Sequence, residues 1–417
     1  MKEQCKNTTK ISNWCVVSMA SIPLVMTLGN SMLIPVLPIF EREVGISSFQ
    51  TSMIITSYSI ASIFLIPVAG YLSDRFGRKV VILPSLFIAL LGGLVAGFAS
   101  WKMTDPFTWI IIGRILQGIG AAGAAPIILP LVGDLYKDDD EKTSSCLGLI
   151  ETSNTFGKVL SPILGALFAA YLWYLPFFSI SVFSLISIVL VIFFIQVPKK
   201  KEKPVALKTF IKNTKKIFKQ EGRWIFTVFL VGIYSMLLLF AVLFFLSDSL
   251  EKTHGLYGVK KGFVLAIPLL ALCIASFITG RKIKGELKVM KVIMTVSLIL
   301  ISVSVSLIGF VDERLILLLS VSSLMGLSIG ALLPTMDALI TENIEKEERG
   351  TISSFYSSSR FIGVAAGPPL MALVMNSLLN ESLIGAGILG IGMFLLVLFF
   401  IQSEKSPTST TNQGGAT

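Results

Sequence analysis

Six residues of this chain pair a charge or strong polar group with a place inside a long apolar run: Asn30, Arg114, Glu151, Lys158, Asp337 and Arg360. A charge at that depth in a hydrocarbon solvent costs roughly 3 kcal/mol or more, so it marks a functional position by default. Glu151 and Lys158 are seven residues apart. That is about 700° of helix turn, so both fall on one face, and Pro162 continues the stripe. A carboxylate in a low-dielectric cavity is pushed toward its protonated form and can load and release a proton near neutral pH. Glu151 and Asp337 are the candidates for that role. The competing reading is structural pairing, Glu151 with Lys158 or Arg114 and Asp337 with Arg360. Lys158 and Arg360 are also the cations available to a cargo with acidic or phenolic oxygens.

Other chemistries find little support. The chain has one histidine, His254, and four cysteines, Cys5, Cys15, Cys146 and Cys273. None is spaced as a zinc or redox pair, so no metal site and no disulfide framework is expected. No Gly-x-x-x-x-Gly-Lys-Ser/Thr loop occurs, which argues against ATP-driven work. An enzyme would need a clustered His, Cys or acid constellation, and a sensor an appended soluble domain. The expectation is a non-enzyme without a cofactor.

The elements that must carry the six residues are membrane helices. Of 417 residues, 53% are hydrophobic and only 14% charged, where a soluble chain carries about 25% charged residues. Apolar runs of about 20 residues, long enough to cross roughly 30 Å of hydrocarbon, recur from end to end. Spans are expected near 14–39, 49–71, 80–100, 108–133, 145–171, 175–197, 224–247, 262–280, 290–311, 315–339, 351–379 and 382–402. This is an all-α membrane protein of twelve transmembrane helices in two six-helix halves. The halves are residues 1–197 and 224–402, joined by a basic linker at 198–223 and followed by a tail at 403–417. The first run is too long for a signal-peptide core. Trp14, Trp101, Trp109, Trp173 and Trp224 sit near predicted span ends, as interfacial anchors do.

The loop charges set the expected orientation. With both termini cytoplasmic, the inner segments hold 26 Lys and Arg and the outer loops six, among them Lys260 and Lys261. The rule that positive loops stay inside favours this topology in a cell membrane. The formal charge of +10 therefore belongs to one membrane face and not to a nucleic-acid partner. In the linker, Leu207, Phe210, Ile211, Thr214, Ile217 and Phe218 alternate at helical spacing with five lysines, an amphipathic pattern suited to an anionic leaflet. The halves also repeat one another. Gly118 and Pro126 recur as Gly326 and Pro334, Ser161-Pro162 as Gly367-Pro368, and Gly70 as Gly280.

The most specific motif is Gly70-Tyr-Leu-Ser-Asp74-Arg75-Phe-Gly77-Arg78-Lys79, between the second and third spans. It resembles the signature of the major facilitator superfamily. Gly70 permits close helix approach, and the charge cluster Asp74, Arg75, Arg78 and Lys79 can lock a cytoplasmic gate. Arg114-Ile-Leu-Gln117-Gly118 looks like the family's Arg-x-x-Gln-Gly motif, whose arginine the resemblance ties to proton coupling. Ser161-Pro162-Ile163-Leu164-Gly165-Ala166 is similar to the exporter motif Gly-Pro-x-x-Gly-Gly, with Ser161 and Ala166 in place of glycines. Gly367-Pro368 is a partial echo of it. Where many drug exporters carry an acid, the first span has Asn30.

The resemblance implies a monomeric proton-driven exporter of small molecules that works by alternating access, of the drug/proton antiporter type. Multidrug export and export of a secreted metabolite such as a siderophore stand side by side. An importer or lipid flippase is the alternative, and a membrane sensor the remote one.

Overall fold

The computed structural model describes residues 13–136, 140–195, 207–283, 286–344 and 346–401. The N-terminal tail, the start of the linker and the tail at 403–417 lie outside that set. Every element among the described residues is helical. In chain order they are α1 (Asn13–Ser31), a 3-10 turn (Ile34–Val36), α2 (Leu37–Val44), α3 (Ser48–Phe76), α4 (Arg78–Lys102), α5 (Phe107–Ala124), α6 (Ile128–Leu135) and α7 (Asp140–Tyr171). Then follow α8 (Leu175–Phe194), α9 (Leu207–Lys252), α10 (Gly258–Lys282), α11 (Leu287–Ile308), α12 (Leu315–Asn343), α13 (Lys346–Val374) and α14 (Leu379–Phe400). Contacts divide the chain into two compact units, Met1–Ile46 with Ser57–Pro204, and Ser47–Thr56 with Val205–Thr417.

Ten helical segments among the described residues are long and apolar enough to cross a membrane. The other two of the twelve expected spans are α7 and α13. They are as long as the rest, with 32 and 29 residues, but too polar to count by hydropathy. They are also the helices that carry Glu151, Lys158 and Arg360. A helix that is polar along one stripe must turn that stripe away from lipid.

Two expected spans are broken. The run at 14–39 ends its first helix at Ser31 and restarts through the 3-10 turn, because Pro35 and Pro38 supply no N–H to the helical ladder. The run at 108–133 stops at Ala124, and Pro126 precedes the short α6. Its repeat counterpart Pro334 lies inside an unbroken α12. Nothing in the structure explains that difference.

The linker also differs from expectation. No separate amphipathic helix precedes the seventh span, since α9 runs unbroken for 46 residues. At 1.5 Å per residue that is about 69 Å, more than twice the hydrocarbon core. Side chains at 207–216 lie outside the described set. Ile217 is buried, and the Phe218 ring meets Phe226, Phe229 and Phe355 at 5.3, 6.1 and 6.0 Å. These two apolar residues therefore pack on protein and are not offered to a leaflet. Lys261, expected in an outer loop, is buried in the first turn of α10. Its Nζ lies 2.7 Å from Glu251 Oε2 of α9.

Inside each unit the same contacts recur. A Cβ on Gly118 of α5 would collide with the Tyr58 carbonyl oxygen of α3, and one on Gly326 of α12 with the Pro268 carbonyl oxygen of α10. Helix axes can approach this closely only where no side chain intervenes. On α7, Gly157, Ser161 and Gly165 recur every four residues, and Gly157 and Gly165 press against α1. Ser161, where the exporter pattern has glycine, turns its hydroxyl to the Gly157 carbonyl at 2.6 Å. The bond stays within the helix, so the substitution preserves the packing. On α13, Gly363 and Gly367 meet the backbone of α9 at Ile233 and Leu237.

One contact recurs with its partners exchanged. Gly93 of α4 faces the Ser181 hydroxyl of α8, while 209 positions on Ser302 of α11 turns its hydroxyl to Gly390 of α14. Lysines repeat as well. Lys79 Nζ donates to the Ile192 and Ile195 carbonyls at the end of α8, at 2.9 and 2.8 Å. Lys291 Nζ donates to the Leu398 carbonyl at the end of α14, at 2.7 Å. Each places a cation on the negative pole of a helix C-terminus.

Candidate functional site

The signature loop folds around Arg78. Gly77 adopts φ +102°, a conformation closed to most side chains, and its N–H still caps α3 at the Ser73 carbonyl (3.1 Å). The chain reverses there, and Arg78 turns inward at the first position of α4. Its side chain is buried. Nε donates to Asp134 Oδ2 at 2.9 Å, and Nη1 reaches Asp74 Oδ1 and the Ser73 hydroxyl, both at 2.7 Å. The Ser73 hydroxyl in turn donates to the Gly70 carbonyl at 2.8 Å. One guanidinium therefore ties the ends of α3, α4 and α6, using the fixed fork of donors that lysine lacks. Arg75 points outward over the Phe76 ring at 5.4 Å. Asp134 was not legible as a partner, because the break at Pro126 is what starts the helix that carries it.

Arg114 is fully buried on α5. Its Nη1 donates to the Gly29 carbonyl of α1 at 2.8 Å and to Gln117 Oε1 at 2.5 Å, and its guanidinium lies 4.6 Å from the Tyr58 ring centre. Tyr58 donates to the Met26 carbonyl at 3.2 Å. Asn30, next to Gly29, is buried, and its Oδ1 has no hydrogen-bond partner among the described residues. A buried amide oxygen in that state can accept a bond from an incoming ligand or water.

Glu151 and Lys158 lie on the polar stripe of α7. Glu151 is exposed, Lys158 half-buried. Asn154, between them, donates from Nδ2 to both Glu151 oxygens at 3.3 and 3.4 Å and accepts the Thr27 hydroxyl of α1 at 2.5 Å. In the second unit Asp337 of α12 faces Arg360 of α13, with Nη1 3.7 Å from Oδ1. Arg360 also lies over the Tyr356 ring at 5.5 Å. A Cβ on Gly232 of α9 would stand 2.9 Å from that ring, so glycine makes room for it. The structural pairing considered for Asp337 is thus present, at a length that leaves it loose. In the first unit the structure brings Arg114 to Gly29 and Gln117, and Glu151 to Asn154. The packing residues Gly118, Gly165 and Gly367 sit at helix crossings, with Pro162 and Pro368 inside α7 and α13.

Known proteins share this design. The Major Facilitator Superfamily profile matches residues 19–321 and 262–416. The bacillibactin exporter of Bacillus subtilis is 53% identical over 391 residues, covering 94% of this chain and 97% of that one. Multidrug resistance protein 2 of Bacillus subtilis is 25% identical over 386 residues, covering 89% and 92%. The crystal structure of a D-xylose–proton symporter superposes with a TM-score of 0.78 at 14% identity, covering 94% of this chain and 98% of that one, which speaks to the fold alone. With its two repeated helical units, its Arg78-centred loop and these matches, the chain belongs to the major facilitator superfamily.

Proposed function

We propose that this chain exports a catecholate siderophore of the bacillibactin type across the cell membrane, driven by the proton gradient. The observation that carries the substrate is the likeness, along nearly the whole chain, to the bacillibactin exporter. The site chemistry supports it. A catechol cargo brings acidic phenolic oxygens, and Lys158 and Arg360 are half-buried cations on the two polar helices, α7 and α13. Asn30 adds a buried acceptor for a phenolic O–H. Where many drug exporters attract cations with an acid in the first span, this residue is neutral.

In this reading Glu151 and Asp337 carry the proton, with Arg114 holding α1 in place beside them. The Arg78 cluster of Asp74, Asp134 and Ser73 forms in one state of the alternating-access cycle and loosens in the other. The chain acts as a monomer with both termini in the cytoplasm, and the bilayer is its other partner. The test is a strain lacking this gene, starved of iron. Bacillibactin should vanish from the medium and accumulate in the cells, and return with the gene. Unchanged secretion would refute the substrate. A second reading, multidrug export, draws on the weaker likeness to multidrug resistance protein 2. It predicts broad toxin hypersensitivity in the same strain.

A further inference from the structure

We infer that Asn154 is a positioning residue that holds the Glu151 carboxylate ionised and ties its charge to helix α1 through Thr27. The inference rests on the reading of Glu151 as proton carrier. Its basis is the direction of two hydrogen bonds. The Thr27 hydroxyl donates to Asn154 Oδ1 at 2.5 Å, which leaves only the amide nitrogen to face Glu151. That nitrogen sits 3.3 and 3.4 Å from the two carboxylate oxygens. A donor shared between both oxygens favours the charged form of the acid.

The local packing makes this possible. Gly157, one turn on, lets α7 approach α1 so closely that an added Cβ would stand 3.3 Å from Thr27 Cβ and 3.2 Å from Leu24 Cδ1. Two residues beyond Thr27, the Gly29 carbonyl is held by Arg114. Helix α1 is therefore gripped twice within one turn, once by a permanent cation and once by an amide whose far end senses a titrating acid. Protonation of Glu151 removes the charge that orders the amide and so weakens the second grip alone.

Few other charges compete for Glu151. Helix α7 packs against α1, α6, α8 and the 3-10 turn. The ionisable side chains these elements contribute are Cys15 of α1 and Asp134 of α6, and α7 itself adds Cys146, Lys158 and Tyr171. The side chains of Asp140, Glu141 and Lys142 at the start of α7 lie outside the described set. Lys158 is seven residues away on the same stripe, so Asn154 stands between the acid and that cation.

The test uses the full chain in everted membrane vesicles, with bacillibactin uptake measured as a function of bath pH. Proton release to the bath limits transport at low pH. Asn154→Ala removes the donor and should move the midpoint of the profile up by about one pH unit, the effect of one bond to a charged group. Asn154→Asp keeps the acceptor for Thr27, adds a like charge and should move it further up. Thr27→Val frees the amide to turn and should shift the midpoint in the same direction by less. A purely structural role would lower the rate at every pH and leave the midpoint in place, and that result in Asn154→Asp overturns the inference. Glu151→Gln separates the two layers. If it abolishes coupled uptake while the Asn154 variants keep the parent midpoint, only the positioning role fails. If Glu151→Gln keeps coupled, pH-dependent uptake, the carrier reading fails and this inference with it.

Discussion

Removing Arg78 should loosen the end of the first unit, and the structure ranks the contributions of its partners. The Asp74 carboxylate is 54% exposed, so its bond is discounted to a surface pair of about 0.5 kcal/mol. Asp134 is 33% exposed against an Arg78 side chain only 8% exposed. That places the Nε bond nearer a shielded charge-assisted one, at about 1–1.5 kcal/mol. The Ser73 hydroxyl adds about 1 kcal/mol. Arg78→Ala should therefore cost about 2–3 kcal/mol, a shift of roughly 30- to 150-fold in the closed population of this end. Arg78→Lys keeps the charge but serves one partner at a time, and should lose about half of that. Thermal unfolding of the detergent-purified chain measures the order. Arg78→Ala should fall by about 4–8 °C, taking 2–4 °C per kcal/mol for a unit of this size. Asp134→Asn should fall further than Asp74→Asn. If Asp74→Asn matched Arg78→Ala while Asp134→Asn cost nothing, the local pair alone would carry Arg78, and the tie from α4 to α6 would be irrelevant.

Three more outcomes follow from the sites described. Glu151→Gln should reduce proton-driven export to background while the protein reaches the membrane at normal levels, and full export in cells would contradict its role as carrier. Lys158→Ala should weaken binding of an anionic catechol cargo about tenfold, the loss of one charge-assisted bond, and leave a cationic dye unaffected in the same fluorescence titration. Gly118→Val and Gly326→Val should each destabilise by about 1–3 kcal/mol through overpacking at equivalent crossings, read as matched drops in Tm. A neutral result at either one would break the equivalence of the two units.

Much of this was legible in the sequence. The apolar runs placed the helices, and the signature loop placed Arg78 at the first turn of α4. The repeat of Gly118 as Gly326 corresponds to the same backbone-to-backbone contact in each unit. What escaped depends on long-range placement. Asp134 becomes a partner of Arg78 only because α6 restarts after Pro126. Lys261 reads as a loop lysine until a carboxylate from the preceding helix covers it, which no local pattern announces. Asn154 looks like an ordinary polar residue on α7, and only the close approach at Gly157 sets it between Thr27 and Glu151. The merged helix α9 was missed because a basic amphipathic stretch and an apolar span differ in composition, while the backbone hydrogen bonds that join them do not.

The exchanged pair, Gly93 with Ser181 and Ser302 with Gly390, bears on how the two units diverged. After a duplication both copies begin with the same arrangement, so one copy has since swapped its residues across the crossing. Two single steps separate the arrangements, and they are unequal. Passing through two serines would force hydroxyls into a contact that already lacks room for one extra Cβ. Passing through two glycines leaves only a small void, filled when the new serine arrives on the other side. The route by way of glycine is the open one, so the order of substitutions at this crossing is constrained by epistasis. The modern sequence thus retains a trace of ancestry that the residue types at either position, taken singly, would hide.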